Sequence, residues 1–283
     1  MILWSSSFIA LKIAFQSYHP MVVIFGRMAI ASLCFLLLIP RFSRIRYHKG
    51  DFKYFLFMAI CEPCLYFIFE AKALENTTAS QAGIICATLP LMVSLAAGLI
   101  LKERITRKML IGFTLAIAGS CWLSFVSKPM QYSPNPPLGN FLEFLAMVCA
   151  TGYIITLKRL ACRYPPLFLT AIQAWVGGLF FIMFLFLPST ELPTSFEPVG
   201  AFAVIYLGTA ITLGAYGLFN YGTSRIPASQ ASSFINLIPV FTIILGWIIL
   251  GERFTPLQYP ASILVFIGVL ISQAKTGAKK HKA

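Results

Sequence analysis

The chain has 283 residues, of which 58% are hydrophobic and only 11% charged, with a mean hydropathy of +0.82 and a net charge of +13. A soluble domain carries about 25% charged residues, so there is too little polar surface here to coat a water-exposed core. The basic excess raises nucleic-acid binding as a reading, but the placement of the charges along the chain argues against it.

Apolar runs of about 17–25 residues, each long enough to cross a bilayer, recur from end to end. Ten spans are predicted, at roughly 1–18, 21–39, 52–71, 77–101, 107–127, 138–157, 167–187, 198–221, 226–250 and 256–274. The alternating strands of a membrane barrel are not seen. The fold class expected is therefore an all-α membrane protein. The first span starts at Met1 with no basic region before it and no small-residue cleavage site, which is not the pattern of a signal peptide.

Span 1 carries Lys12 and span 2 carries Arg27. Intramembrane charges face a bundle interior and pair, so at least one of them is expected to meet Glu62, Glu70 or Glu143. Structural pairing and attraction of an anion both remain open for these two. Span 3 contains "AICEPCLYFIFEAKAL", residues 59–74, with Glu62 between Cys61 and Cys64 and beside Pro63. Glu62 lies about halfway along the span, too deep for a short side chain to reach either surface. It is expected on the interior, on one face with Tyr66 and Phe69, with Glu70 close by. Two roles follow for it: binding a substrate's cationic group or the coupling proton, with Tyr66 adding a ring or hydroxyl, or forming a static salt bridge.

The Cys61-x-x-Cys64 spacing lacks the second ligand pair that structural zinc requires. The three histidines, His19, His48 and His281, fall in loops or the tail. No metal and no cofactor are expected. The seven cysteines are scattered and form no disulfide framework.

Span 4 opens a repeat. "ASQAGIICATLPLMVSLAAGLILKERIT" from Ala79 aligns without a gap on "ASQASSFINLIPVFTIILGWIILGERFT" from Ala228, an offset of 149. Glu103-Arg104-x-Thr106 thereby matches Glu252-Arg253-x-Thr255, and Pro90 matches Pro239. The two glutamates are read as structural, holding a turn at an interface, with each Thr available to cap the next helix. The two mid-span prolines are read as hinges or bends, since each removes a backbone hydrogen bond. Residues 127–137, "SKPMQYSPNPP", form a proline-rich, extended linker.

Polar stripes follow in the later spans. Thr209, Tyr216 and Asn220 fall on one face of span 8, and Ser229, Ser233 and Asn236 on one face of span 9. Gln81 and Thr88 share a face of span 4, while Tyr153 and Trp175 bring polar aromatics in spans 6 and 7. Together they are expected to line a wet cavity. The small residues along several spans are read as close helix packing.

The repeat unit is five spans. Five is odd, so the second copy enters the membrane from the opposite side, an arrangement typical of secondary transporters. The fold expected is ten transmembrane helices in two inverted five-helix repeats, 1–128 and 138–274, followed by a basic tail at 275–283. Of the 22 Lys and Arg, seventeen fall on one side of the membrane, three on the other and two inside spans. By the positive-inside rule both termini are cytoplasmic. The basic charge then sets orientation and meets anionic lipid.

With "WSSSFIALKIAF" from Trp4, Arg27 and the two Ala-Ser…Pro…Glu-Arg-x-Thr copies in view, the sequence resembles the drug/metabolite transporter superfamily, and within it the ten-span EamA-type transporters. Lys102 replaces the usual Gly of the first copy, and Gly251 keeps it in the second. The resemblance implies transport, often efflux of small metabolites across a bacterial inner membrane. It says little about substrate. A small-molecule substrate and membrane lipids are the expected partners, with protons a candidate coupling ion and the protein a monomer or homodimer. The leading reading is a secondary transporter for an amino-acid-like or related solute, working by alternating access. No ATP-binding loop of the G-x-x-x-x-G-K-[ST] type is present. A lipid-linked-sugar flippase on the same scaffold and a membrane-embedded enzyme are the alternatives.

Overall fold

A computed structural model describes residues 1–42, 45–101 and 105–273. The Glu103–Arg104 copy of the repeated motif, Arg44, Lys102 and the basic tail lie outside these residues. The described chain is helical throughout, with one isolated β-bridge between Met130 and Ser133 in the linker.

The longer helices are numbered in chain order. They are α1 (Ile2–Ser17), α2 (Pro20–Leu36), α3 (Phe52–Asn76), α4 (Ala79–Ile100) and α5 (Arg107–Val126). After the linker come α6 (Pro136–Leu160), α7 (Pro166–Phe186), α8 (Pro198–Arg225), α9 (Ala228–Leu250) and α10 (Gln258–Gln273). Seven of these, α3 to α9, are long and apolar enough to cross a membrane, while α2 and α10 are apolar but shorter.

Local sequence sets the ends. His19, Thr78, Thr106 and Asn135 accept hydrogen bonds from the backbone N–H groups of Met21, Gln81, Met109 and Leu138, capping α2, α4, α5 and α6. Proline stands in the first turn of α2, α6, α7 and α8, where a missing N–H costs nothing. Gly251 takes φ 66°, the left-handed conformation that ends α9. The capping role expected for the Thr of the repeated motif holds at Thr106. At the second copy the Gln258 side chain instead accepts from the Thr255 N–H, at 2.8 Å.

Four helices are interrupted inside the bundle. In α3 the backbone winds wide over Ile60–Leu65 and leaves helical geometry at Glu62, whose peptide bond to Pro63 is cis. In α8 it winds wide over Leu207–Ala215. In α4 a turn at Ala87–Thr88 precedes Leu89–Pro90, and in α9 a tighter 3₁₀ turn, Phe234–Leu237, precedes Ile238–Pro239. Each proline therefore sits at the start of a new helical segment, as a bend requires.

The packing is pairwise. α3 lies along α6 and α1 along α8; α4 packs on α6 and on α9, and α1 also on α9; α2 packs on α7 and α5 on α10. The α5–α10 pair comes closest, because Gly112, Gly119 and Gly268 let the backbones touch. A Cβ at Gly268 would meet the Ala116 nitrogen at 2.7 Å. The main core runs from α1 through α3, α4 and α6 to α8, and the candidate site lies inside it.

Candidate functional site

The break in α3 delivers Glu62 to the centre of the bundle. Freed from its own helix, the Glu62 carbonyl accepts from Gln173 Nε2 of α7 at 3.1 Å. Gln173 Oε1 in turn accepts from Asn220 Nδ2, at 3.3 Å, and Thr170 Oγ1 accepts from the same nitrogen at 2.9 Å. Tyr153 of α6 donates its hydroxyl to Asn220 Oδ1. Four side chains on three helices thus brace one carbonyl, while Glu62 and Tyr216 of α8 line the same cavity.

One turn further along α3, Tyr66 Oη donates to Glu70 Oε1 at 2.9 Å. Glu70 Oε2 stands 3.8 Å from Arg27 NH1, an ion pair without a hydrogen bond. Arg27 Nε donates to Thr212 Oγ1 at 3.3 Å, and its guanidinium lies 4.2 Å from the centre of the Phe67 ring. Thr212 belongs to the wide turn of α8, so both wide-wound helices serve the site. Behind Glu70, Cys86 Sγ donates to Glu143 Oε1 at 3.4 Å.

These groups surround a cavity of about 40 Å³ whose lining includes Trp4, Arg27, Glu62, Tyr66, Glu70 and Tyr216. Glu62 and Glu70 are each 3% exposed, Glu143 0% and Arg27 1%. Of these three buried carboxylates, Arg27 pairs with Glu70. Burying them all ionised would cost several kcal/mol per unpaired charge. The arrangement can hold a cation or protons.

Of the residues singled out from sequence, the structure brings Arg27, Glu62, Tyr66, Glu70, Tyr153, Tyr216 and Asn220 together. Arg27 finds Glu70, one of the three partners expected. Six others sit elsewhere. Lys12 donates to the Tyr132 carbonyl of the linker at 2.8 Å, near Glu252 and Glu75, rather than to a carboxylate of the interior. Gln81 belongs to a separate network, accepting from Asn140 Nδ2 and Ser127 Oγ at 3.0 Å each. Thr88 bonds back to the Ile85 carbonyl at 2.7 Å. Trp175 Nε1 donates to the Ser32 carbonyl at 3.3 Å and packs on Phe42 near the opposite face of α7. Asn236 is absent from the cavity lining, and its side-chain amide has no hydrogen-bond partner. In the stripe read for α8, Thr209 is exposed and bonds its own helix. Helical spacing gave each of these a face, but the neighbour on that face differs from the one expected.

Trp4, Cys86, Gln173 and Thr212 were not picked out for the site. Trp4 lines the cavity with its Nε1 unpaired, and its ring packs on Tyr216 and Phe219, with centroids 5.1 and 4.7 Å apart. Their signal was weak in sequence: a Trp, a Cys, a Gln and a Thr in apolar helices are ordinary core residues.

An all-helical, multi-pass membrane protein with a buried, carboxylate-rich centre is what this geometry defines. The EamA-like transporter family model matches residues 1–125 and again residues 137–273. The chain belongs to that family, within the drug/metabolite transporter superfamily. The uncharacterised transporter YcxC of Bacillus subtilis (strain 168) is 29% identical over 98% of this chain and 91% of its own. A probable terminal-alkyne amino-acid exporter of Streptantibioticus cattleyicolor is 21% identical over 99% and 93%. One solved crystal structure, 17% identical, shares the fold with a TM-score of 0.63 over 96% of this chain and 95% of that one. These relatives are transporters, not enzymes.

Proposed function

We propose that the protein is a ten-span secondary transporter that exports a small, amino-acid-like solute by alternating access. In this reading Glu62 binds the cargo's cationic group or the coupling proton.

The two-repeat architecture, with halves at 1–128 and 138–274, draws support from three directions. The family model matches twice. The helix breaks recur at the sequence offset: the wide turns of α3 and α8, and the turns before Pro90 and Pro239. The packing pairs also exchange among themselves when each helix is replaced by its counterpart five later, α3–α6 for α8–α1 and α4–α6 for α9–α1. Two halves of like sequence and opposite orientation have two conformations of similar energy, one open to each side. Cytoplasmic termini are read from the seventeen-to-three division of basic residues, and bacterial inner-membrane placement from the family resemblance.

The observation that carries the functional reading is Glu62, buried at a break in α3 and lining the central cavity together with Tyr216. At about 40 Å³ that cavity has room for about three waters. A metabolite enters only when the helices part, as alternating access requires. The amino-acid-like class draws on the exporter relative and on carboxylates suited to an ammonium group.

Glu62→Gln tests it, because the amide keeps shape and hydrogen bonding but cannot ionise. The variant should insert and fold, yet lose transport in proteoliposomes or lose its pH dependence. Normal transport with an unchanged pH profile would remove Glu62 as ligand or coupling site. Failure to fold would favour the static salt bridge.

A further inference from the structure

Glu143 of α6 is the most deeply buried carboxylate of the site, and the arrangement described above leaves it without a task. Its Oε1 accepts from Cys86 Sγ at 3.4 Å, and its Oε2 has no hydrogen-bond partner. The ion pairs among the described residues join Arg27 to Glu70, Lys72 to Glu75 and Arg163 to Asp51, so none reaches Glu143. The titratable groups facing it are Cys86 from α4 and Glu70 and Tyr66 from α3. All are neutral or negative, and Arg27, the cation beyond them, is engaged by Glu70. Removing an unpaired carboxylate from water costs far more than protonating it. Protonation would remove that cost.

One turn away on α6, a polar network begins that extends toward the linker. Asn140 precedes Glu143 by one turn on the same face of α6. Asn140 is bonded to Thr77 Oγ1 at 2.8 Å, to Gln81 Oε1 at 3.0 Å and to Ser124 Oγ at 3.1 Å. Ser127 Oγ donates to Gln81 and accepts from Gln258 Nε2 at 2.9 Å, beside the α9–α10 connection. Amides and hydroxyls from α3, α4, α5, α6 and α10 thus form a path through otherwise apolar packing. On the charge distribution this is the external end. On its inner side Cys86 lines the cargo cavity.

We propose that Glu143 is the proton-carrying residue of the transport cycle, loaded from the linker side along this path, and that Glu62 is left to the cargo. The proposal rests on the exporter reading above. An ionised Glu143 adds negative charge beside Glu70 and favours a cationic cargo; a protonated one removes that attraction. Proton and cargo then compete, and a coupling of this kind is reciprocal. A proton arriving from outside displaces the cargo outward and leaves Glu143 toward the cytoplasm when the bundle reopens.

The full chain, reconstituted in liposomes with a labelled mixture of the common amino acids, provides the first readout. External acid should drive wild-type efflux of label. In Glu143→Gln that acid-driven efflux should fall about tenfold further than amino-acid exchange at equal pH does, within the usual range of coupling between two sites. Equal acid stimulation in both proteins overturns the proposal. The second readout needs no cargo. The infrared C=O stretch of protonated carboxyls should be present in wild type at neutral pH and should lose a component in Glu143→Gln. In Cys86→Ala, which keeps the carboxyl and removes its donor, the band should shift. A spectrum lacking that band, or one unmoved by Cys86→Ala, overturns the assignment even if the glutamine variant misfolds. Should wild type move none of the mixture, the cargo class proposed above fails, and the infrared band still decides Glu143.

Discussion

Glu252 Oε2 accepts the backbone N–H of Ser80 at 2.8 Å, and Oε1 accepts that of Ala79 at the same distance. A carboxylate from the end of α9 therefore caps the start of α4, placing negative charge where the helix dipole favours it. Gly251 turns the chain with positive φ, and the Glu252 N–H closes on the Gly246 carbonyl at 3.0 Å. Gly246 also makes the approach possible: a Cβ there would fall 2.5 Å from Ser80 Oγ and 2.8 Å from Glu252 Oε2. The Gly251-Glu252 turn thus ties the end of α9 to the Ala79-Ser80 start of α4.

Glu252→Ala should remove that cap. A lost cap costs about 1 kcal/mol, or about 2–4 °C in melting temperature for a chain of this size. Arg253, exposed next to the cap, should also become a faster trypsin site as the connection loosens. Unchanged melting together with unchanged cleavage would mean that the contact contributes nothing.

The prolines make a kinetic prediction. Pro90 and Pro239 each follow a turn that breaks α4 or α9 in mid-span. Alanine restores the missing N–H and lets the two segments join into one straighter helix. Pro90→Ala and Pro239→Ala should insert normally and exchange solute more slowly than wild type. Wild-type exchange rates in both would make these prolines packing residues.

At the α6–α7 connection, Asp51 is held by Arg163 NH1 at 3.0 Å and by the Tyr164 hydroxyl at 3.1 Å. Burial pushes the Asp51 carboxyl up, but hydrogen bonds from Arg163 and Tyr164 and the charges of Arg163 and His48 outweigh it, so it titrates below the usual 3.8. A carboxylate depressed in the folded state stabilises above its unfolded value and loses that contribution as pH falls through the folded one. Asp51→Asn should therefore melt lower than wild type at neutral pH, with the gap closing below about pH 4. A gap that persists in acid would assign the loss to packing instead of charge.

Gly268→Val probes the α5–α10 pair. Overpacking a tight contact costs about 1–3 kcal/mol, and here the added carbon would meet the Ala116 nitrogen at 2.7 Å and Leu115 Cβ at 3.1 Å. The purified variant should melt several degrees lower or fail to accumulate in the membrane. A valine tolerated without change would show that the two helices are not in backbone contact.

Composition and periodicity were sufficient for the membrane class, the positions of the helices and the 149-residue repeat, because each depends on local hydropathy or on aligned residues. They also located Glu62, Tyr66 and Glu70, since an i, i+4 pair on one helix meets whatever surrounds it, and a buried carboxylate must face inward. The partners of those residues came from other helices. A stripe of polar residues gives the direction of a helix face but not the helix opposite, and this bundle has more than one polar interior. Gln81 and Asn140 joined the network below the linker, Trp175 turned to Ser32, and Lys12 reached the linker carbonyl. Glu143, Gln173 and Thr212 gained their places only when α6, α7 and α8 crossed the break in α3, because burial and charge pairing depend on three-dimensional neighbours that hydropathy does not encode.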